Sequence, residues 1–180
     1  FKPVLLAAEL KSEHPLAEAI VTALREDFVT LPAPIEEFKS ITGKGIEVTY
    51  QNERYWAGSH RLLKEYHSEV PELMNEMKLK YEQDGNSITY FGREGELLAI
   101  ITITDQIKPT SIEAVKELKR QGIEICMLTG DGERTASVVA ERLGIQQYMA
   151  DALPDDKAKY VQQLQEQGKI VAMVGDGIND

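Results

Sequence analysis

The residues best suited to phosphate chemistry lie in two glycine-aspartate loops. One reads Thr129-Gly130-Asp131-Gly132 and follows the apolar run 123–128. The other reads Gly175-Asp176-Gly177-Ile178-Asn179-Asp180 and follows the apolar run 170–174. Glycine lets backbone N–H groups approach an anion closely, and a neighbouring carboxylate can hold Mg²⁺, which prefers oxygen ligands and retained waters. Either loop alone reads equally well as a turn that caps the next helix. Two of them at neighbouring strand ends point to a phosphate-plus-metal site.

Lys157 follows Leu153-Pro154-Asp155-Asp156 at the predicted start of a helix. A helix N-terminus and an ammonium both attract phosphate, although a lysine in that place is also an ordinary surface residue. Upstream, Ser12-Glu13-His14-Pro15 sets a histidine immediately before a helix, and Gly43-Lys44-Gly45 precedes a predicted hairpin. No third glycine follows at the dinucleotide-binding spacing, so that fingerprint is not met. Singly, the histidine reads as a cap and the glycine pair as a turn.

The elements that must position these residues change character near residue 105. Before it, helices are predicted over 3–10 and 15–27, the second carrying Leu16, Ile20 with Ala19, Ala23 and Leu24 at helical spacing. Proline in the first turn of each suits helix initiation. Alternation of Ile46, Val48 and Tyr50 against Glu47 and Thr49 predicts a strand that turns at 51–53 into 54–57. A second hairpin joins 87–91 to 96–103, and helices are expected over 59–66 and 71–83. Hairpins covered by helices make an α+β domain.

After residue 105, helices are predicted over 109–121, with Ile112, Val115 and Leu118 inward, and over 133–143 and 155–167. They alternate with the runs 123–128 and 170–174, read as buried parallel strands. Alternation of this kind predicts a doubly wound parallel sheet, whose ligands sit beyond the strands' carboxyl ends. The fold class is thus α/β overall, an α+β domain followed by part of a doubly wound sheet. Cys126 sits within the first of those runs, where a cysteine behaves as a small hydrophobe.

Composition narrows the class. The chain has 180 residues, one cysteine and a net charge of −10. A lone cysteine rules out an internal disulfide framework and suits a reducing compartment. No apolar run approaches the ~18 residues of a membrane span. The acidic balance argues against non-specific nucleic-acid binding, and no nucleic-acid partner is expected. The chain opens on Phe1 and closes on Asp180 inside a candidate functional loop, and is therefore expected to be a fragment.

Taken in order, Ser-Glu-His-Pro-Leu, Gly-Lys-Gly, Thr-Gly-Asp, Leu-Pro-x-Asp-Lys and Gly-Asp-Gly-Ile-Asn-Asp resemble the cytoplasmic ATP-binding region of P-type ATPases over essentially the whole chain. The His-Pro element points to the heavy-metal-transporting subclass, with copper as the expected cargo. The resemblance implies a nucleotide-binding domain over 1–104, inserted into a phosphorylation domain of the haloacid dehalogenase type whose later part is 105–180. Residues 104–110 would be the returning hinge strand.

Carried over by motif, Glu9 and His14 would lie at the adenine end of the ATP site. Gly43 and Gly45 would let the backbone pass close to the nucleotide. Gly58 stands where the family has a glycine-asparagine pair closing the site, with Ser59 in place of the asparagine. Thr129, Gly130 and Asp131 would contact or surround the transferred phosphoryl group, and Lys157 would neutralise its charge. Asp176 and Asp180 would ligate Mg²⁺, with Asn179 in support. The implied reaction is in-line attack of an aspartate on the ATP γ-phosphate.

The family's Asp-Lys-Thr-Gly-Thr segment, source of that aspartate, has no counterpart here and is expected shortly before Phe1. Its strand would lie between those ending at Leu128 and Val174, so the second domain should be poorly stable without it. The implied partners are ATP, the actuator and membrane domains of a parent chain, and a heavy-metal ion held by that membrane domain. The implied location is the cytoplasmic side of a membrane. The fragment should bind ATP without forming the aspartyl-phosphate. The competing reading is a soluble haloacid dehalogenase-like phosphatase with a large cap.

Overall fold

The computed structural model describes residues 1–104 and 106–175, the side chain of Pro15 excepted. The chain divides into two compact units, Phe1–Gln106 and Ile107–Asp180.

The first unit is a five-stranded antiparallel sheet in the order β1-β2-β3-β4-β5. Its strands are β1 (Glu37–Ile41), β2 (Gly45–Tyr50), β3 (Glu53–Gly58), β4 (Ser87–Arg93) and β5 (Glu96–Ile103). The β2–β3 and β4–β5 hairpins follow the predicted alternation; Tyr50 pairs with Glu53 and Arg93 with Glu96 across the turns. Gln51 and Asn52, both at positive φ, make the first turn. β1 escaped prediction because Glu37-Phe38-Lys39-Ser40-Ile41 carries little apolar content and forms an exposed edge.

Each face of the sheet carries two helices. On one, α1 (Lys2–Glu9) and α2 (Pro15–Glu26) bury Val4, Leu5, Leu6, Ile20 and Leu24 against Ile46, Val48, Tyr55, Ala57 and Phe91. Of the expected α2 stripe, Ile20 and Leu24 are buried, whereas Ala19 and Ala23 face solvent. On the other, α3 (His60–Glu65) and α4 (Glu72–Gln83) cover Trp56, Tyr90 and Leu97 with Leu62 and Leu63. The Trp56 indole donates to Glu94 O at 2.9 Å and stacks on Tyr66. A Cβ at Gly92 would lie 2.2 Å from that indole, so only glycine fits there.

The second unit contains α5 (Pro109–Arg120), β6 (Cys126–Leu128), α6 (Glu133–Leu143), β7 (Gln147–Met149) and α7 (Pro154–Glu166). β6 and β7 are parallel and joined through α6, a βαβ unit. Three expectations are corrected here. The run 123–128 is a strand only over its last three residues, and these are half-buried. The run 170–174 is not a strand: Ile170 and Val174 are fully or almost fully exposed. Leu118 is likewise exposed rather than inward. For the two runs the cause is the same. An apolar run becomes a buried strand only with ladder partners on its edges and layers on its faces, and the sheet among the described residues has two strands.

Candidate functional site

The candidate residues of the first unit fall on or beside four elements that pack together, since α1 lies against α2, β2 and β3. Glu9 ends α1, a helix buried from Val4 onward because it lies between the sheet and α2. The residue is 6% exposed. Burial alone pushes the Glu9 carboxyl up to about 7, because the ionised form loses its hydration.

His14 is the N-cap of α2, with Pro15 at the first helical position. Its Nδ1 accepts from the Leu16 backbone N–H at 3.3 Å. That bond requires Nδ1 to be unprotonated, which places the proton of the neutral imidazole on Nε2. His14 therefore carries its hydrogen-bond donor at Nε2.

Gly43-Lys44-Gly45 forms the turn from β1 into β2, with Gly43 at φ 68° and Gly45 at φ 148°. The Ser59 N–H donates to Lys44 O at 2.8 Å, tying this turn to the end of β3. Gly45 and Gly58 are register partners. A Cβ on Gly45 would lie 2.1 Å from Ala57 O, and one on Gly58 2.1 Å from Lys44 O. The two glycines thus clear each other's strand. The Lys44 ammonium is paired with Glu65. Ser59 caps α3 in position only: its side chain makes no cap bond, and its Oγ is buried without a partner.

In the second unit, Thr129, Gly130 and Asp131 follow the carboxyl end of β6. Thr129 Oγ1 donates to Asp131 Oδ2 at 2.8 Å, and the Asp131 N–H donates back to Thr129 Oγ1 at 3.1 Å. This loop is joined to the one after β7. The Ala152 N–H donates to Thr129 O and the Asp151 N–H to Asp131 O, both at 2.8 Å. α7 begins two residues later, where Asp156 Oδ2 accepts from the Leu153 N–H at 3.1 Å. Lys157, half-buried in the first turn of α7, is thereby brought to the same end as Thr129–Asp131. Gly130 differs from Gly45 and Gly58: a Cβ there would meet only Ala152 O, at 3.8 Å.

Asp176, Asn179 and Asp180 lie outside the described residues. Two cavities of the second unit, of about 270 and 360 Å³, border none of the candidate residues. Cys126 lines the smaller one beside Tyr160, whose phenol is held protonated by its hydrogen bond with the thiol and by burial. Sequence reasoning missed the Lys44–Glu65 pair and the Asp156 cap. The acidic residue three positions after Leu153 was the available signal for the latter.

The model of the haloacid dehalogenase-like hydrolases matches residues 2–180. The copper-exporting P-type ATPase of Staphylococcus aureus is 40% identical over 177 residues, which is 98% of this chain and 22% of that protein. The chain thus spans about a fifth of the length of the curated relatives it matches. Among solved structures, the catalytic domain of the CPx-ATPase CopB-B is 25% identical with a TM-score of 0.74, over 99% of this chain and 62% of that one; that domain undergoes conformational changes upon nucleotide binding. A zinc-transporting PIB-type ATPase is 31% identical with a TM-score of 0.50, over 99% of this chain and 28% of that one. The chain belongs to the haloacid dehalogenase-like hydrolases and is similar, along nearly all its length, to the catalytic region of heavy-metal P-type ATPases.

Proposed function

We propose that this chain is the ATP-handling region of a heavy-metal P-type ATPase, which binds ATP in its first unit and serves phosphoryl transfer with its second. The observation that carries the reading is the 40% identity across 98% of the chain, which extends through both units. The base would lie against Glu9 and the Nε2–H of His14. The turn at Gly43–Gly45 and the neighbouring Gly58 would carry the backbone past the rest of the nucleotide. Because Gly45 and Gly58 already clear each other, their part in binding is to bring two strands close enough for one ligand to touch both.

In the second unit, Thr129, Gly130 and Asp131 would surround the transferred group and Lys157 would balance its charge. Gly130 supports this role, because packing leaves space for a side chain there and does not by itself require glycine. Among the described residues no three His, Cys, Asp or Glu side chains come together as a metal centre. Mg²⁺ would be held by Asp176 and Asp180 with Asn179, two carboxylates and an amide oxygen that suit a hard cation. When bound, the ion screens phosphate charge.

In the parent chain the reaction would pass through an aspartyl-phosphate and drive export of a heavy metal, copper in the first instance. The metal would be bound by a membrane domain, with this region on the cytoplasmic side. No helix among the described residues is long and apolar enough to cross a membrane.

Calorimetric titration with ATP tests the reading. Saturable binding, weakened by Glu9→Ala, is expected. Absence of binding, together with turnover of a generic phosphomonoester by a chain extended upstream, would favour a phosphatase.

A further inference from the structure

Glu9 combines two properties that a structural carboxylate rarely shows together. It is more than nine-tenths buried, and among the described residues no hydrogen bond or ion pair to its side chain is found. A buried ionised carboxylate without a partner is costly, so such a group is normally paired, neutral or engaged by a ligand.

The surrounding charges do not alter this. On α1 the other charged group is Lys2, paired with Asp27. Lys11 and Glu13 in the following loop are exposed. α2 brings His14, Glu18, Arg25 and Glu26, all exposed. β2 brings Glu47, engaged by Lys39 and Tyr66, together with Tyr50. β3 brings Arg54, Glu53 and Tyr55, the last donating to Glu53. None of these accounts for the state of Glu9; burial is the cause.

Resting on the ATP-site reading above, we propose that Glu9 reads the base as a neutral carboxylic acid, donating its proton to a ring nitrogen and accepting from the exocyclic amine, so that adenine is held until Glu9 ionises. A carboxylic acid offers one donor and one acceptor side by side, which matches the adenine edge of acceptor N1 and donor N6–H₂. The ionised carboxylate offers acceptors only. It would face the N1 lone pair of adenine, whereas guanine presents the N1–H and N2–H₂ donors that suit it. Ionisation, with the proton leaving to water, therefore weakens adenine binding and erodes the preference for ATP over GTP.

The test compares ATP and GTP titrations of the chain and of Glu9→Gln at pH 6.0 and 8.5. Glutamine keeps the shape and a donor–acceptor pair but has no titrating proton. The ratio of the ATP dissociation constants, unsubstituted over Glu9→Gln, cancels ionisation of the phosphates. That ratio is expected to rise roughly ten- to thirtyfold between the two pH values, as the competent neutral fraction falls. The ATP-over-GTP preference of the unsubstituted chain should fall in parallel. A ratio unchanged with pH, while ATP still binds, overturns the neutral-acid mechanism and leaves the ATP site standing. No saturable ATP binding at either pH overturns both. Should Glu9→Gln fail to fold, the ¹³C shift of the Glu9 carboxyl decides the same question in the unsubstituted chain. Its titration midpoint should move upward when adenosine is added, and an unmoved midpoint with adenosine bound contradicts the proposal.

Discussion

Gly45 and Gly58 face each other in register across β2 and β3, and neither position has room for a Cβ. Gly45 also holds φ 148°, a conformation open to glycine and strained for other residues. The spacing of glycines in the sequence suggests clearance for a ligand; the structure shows that the first thing cleared is the neighbouring strand.

Gly45→Val is therefore expected to unfold the first unit rather than merely weaken nucleotide binding. Overlap with backbone on the opposing strand, added to the strained φ, should cost about 3 kcal/mol or more. Thermal melting reads this directly. A variant that melts like the parent would show that the strands separate more easily than their register implies.

Glu9 makes stability pH-dependent, with a sign that follows from its raised pKa. The folded state holds this proton up to about pH 7, whereas the unfolded chain releases it near 4.5. Stability from this group is thus fully present below pH 4.5 and is lost as pH rises through 7. The loss amounts to roughly 3 kcal/mol over that window. Urea melts of the first unit at pH 5 and pH 8 should differ by about this amount, and Glu9→Gln should flatten the difference.

His14→Ala removes the only side-chain acceptor at the first turn of α2 found among the described residues. The expected loss is about 1 kcal/mol of stability, and His14→Asn, which restores a cap, should recover most of it. ATP affinity should stay low in both variants, because neither side chain carries the imidazole donor. Recovery of affinity with the cap would assign His14 a purely structural role.

Gly130→Ala should leave melting unchanged within roughly 0.5 kcal/mol, as nothing lies closer than 3.8 Å to the added methyl. A large loss of stability would place Gly130 with Gly45 and Gly58 among the glycines required by packing.

Much of this was legible in the sequence, for reasons that differ by element. The β2–β3 and β4–β5 hairpins and helices α2, α6 and α7 announce themselves through alternation, helical spacing and Pro or Gly at their ends. β1 was not legible, because an exposed edge strand needs little apolar content. Residues 170–174 misled, because an apolar run looks the same whether or not a neighbouring strand pairs with it, and here Ile170 and Val174 stay in solvent. At the site, residue types were legible and their states were not. Nothing in Ser-Glu-His-Pro shows that His14 spends Nδ1 on Leu16. Nothing local shows that Glu9 is buried, since the sheet that α1 packs against begins only at residue 37.

The proposed site of the first unit would hold an adenine nucleotide between the end of α1, the start of α2 and the Gly45–Gly58 pair. Backbone amide NMR of the chain titrated with ATP locates that site residue by residue. Saturable shift changes should cluster at Glu9, His14, Gly43–Gly45 and Gly58. No saturable change, or changes confined to the unit that begins at Ile107, would contradict it.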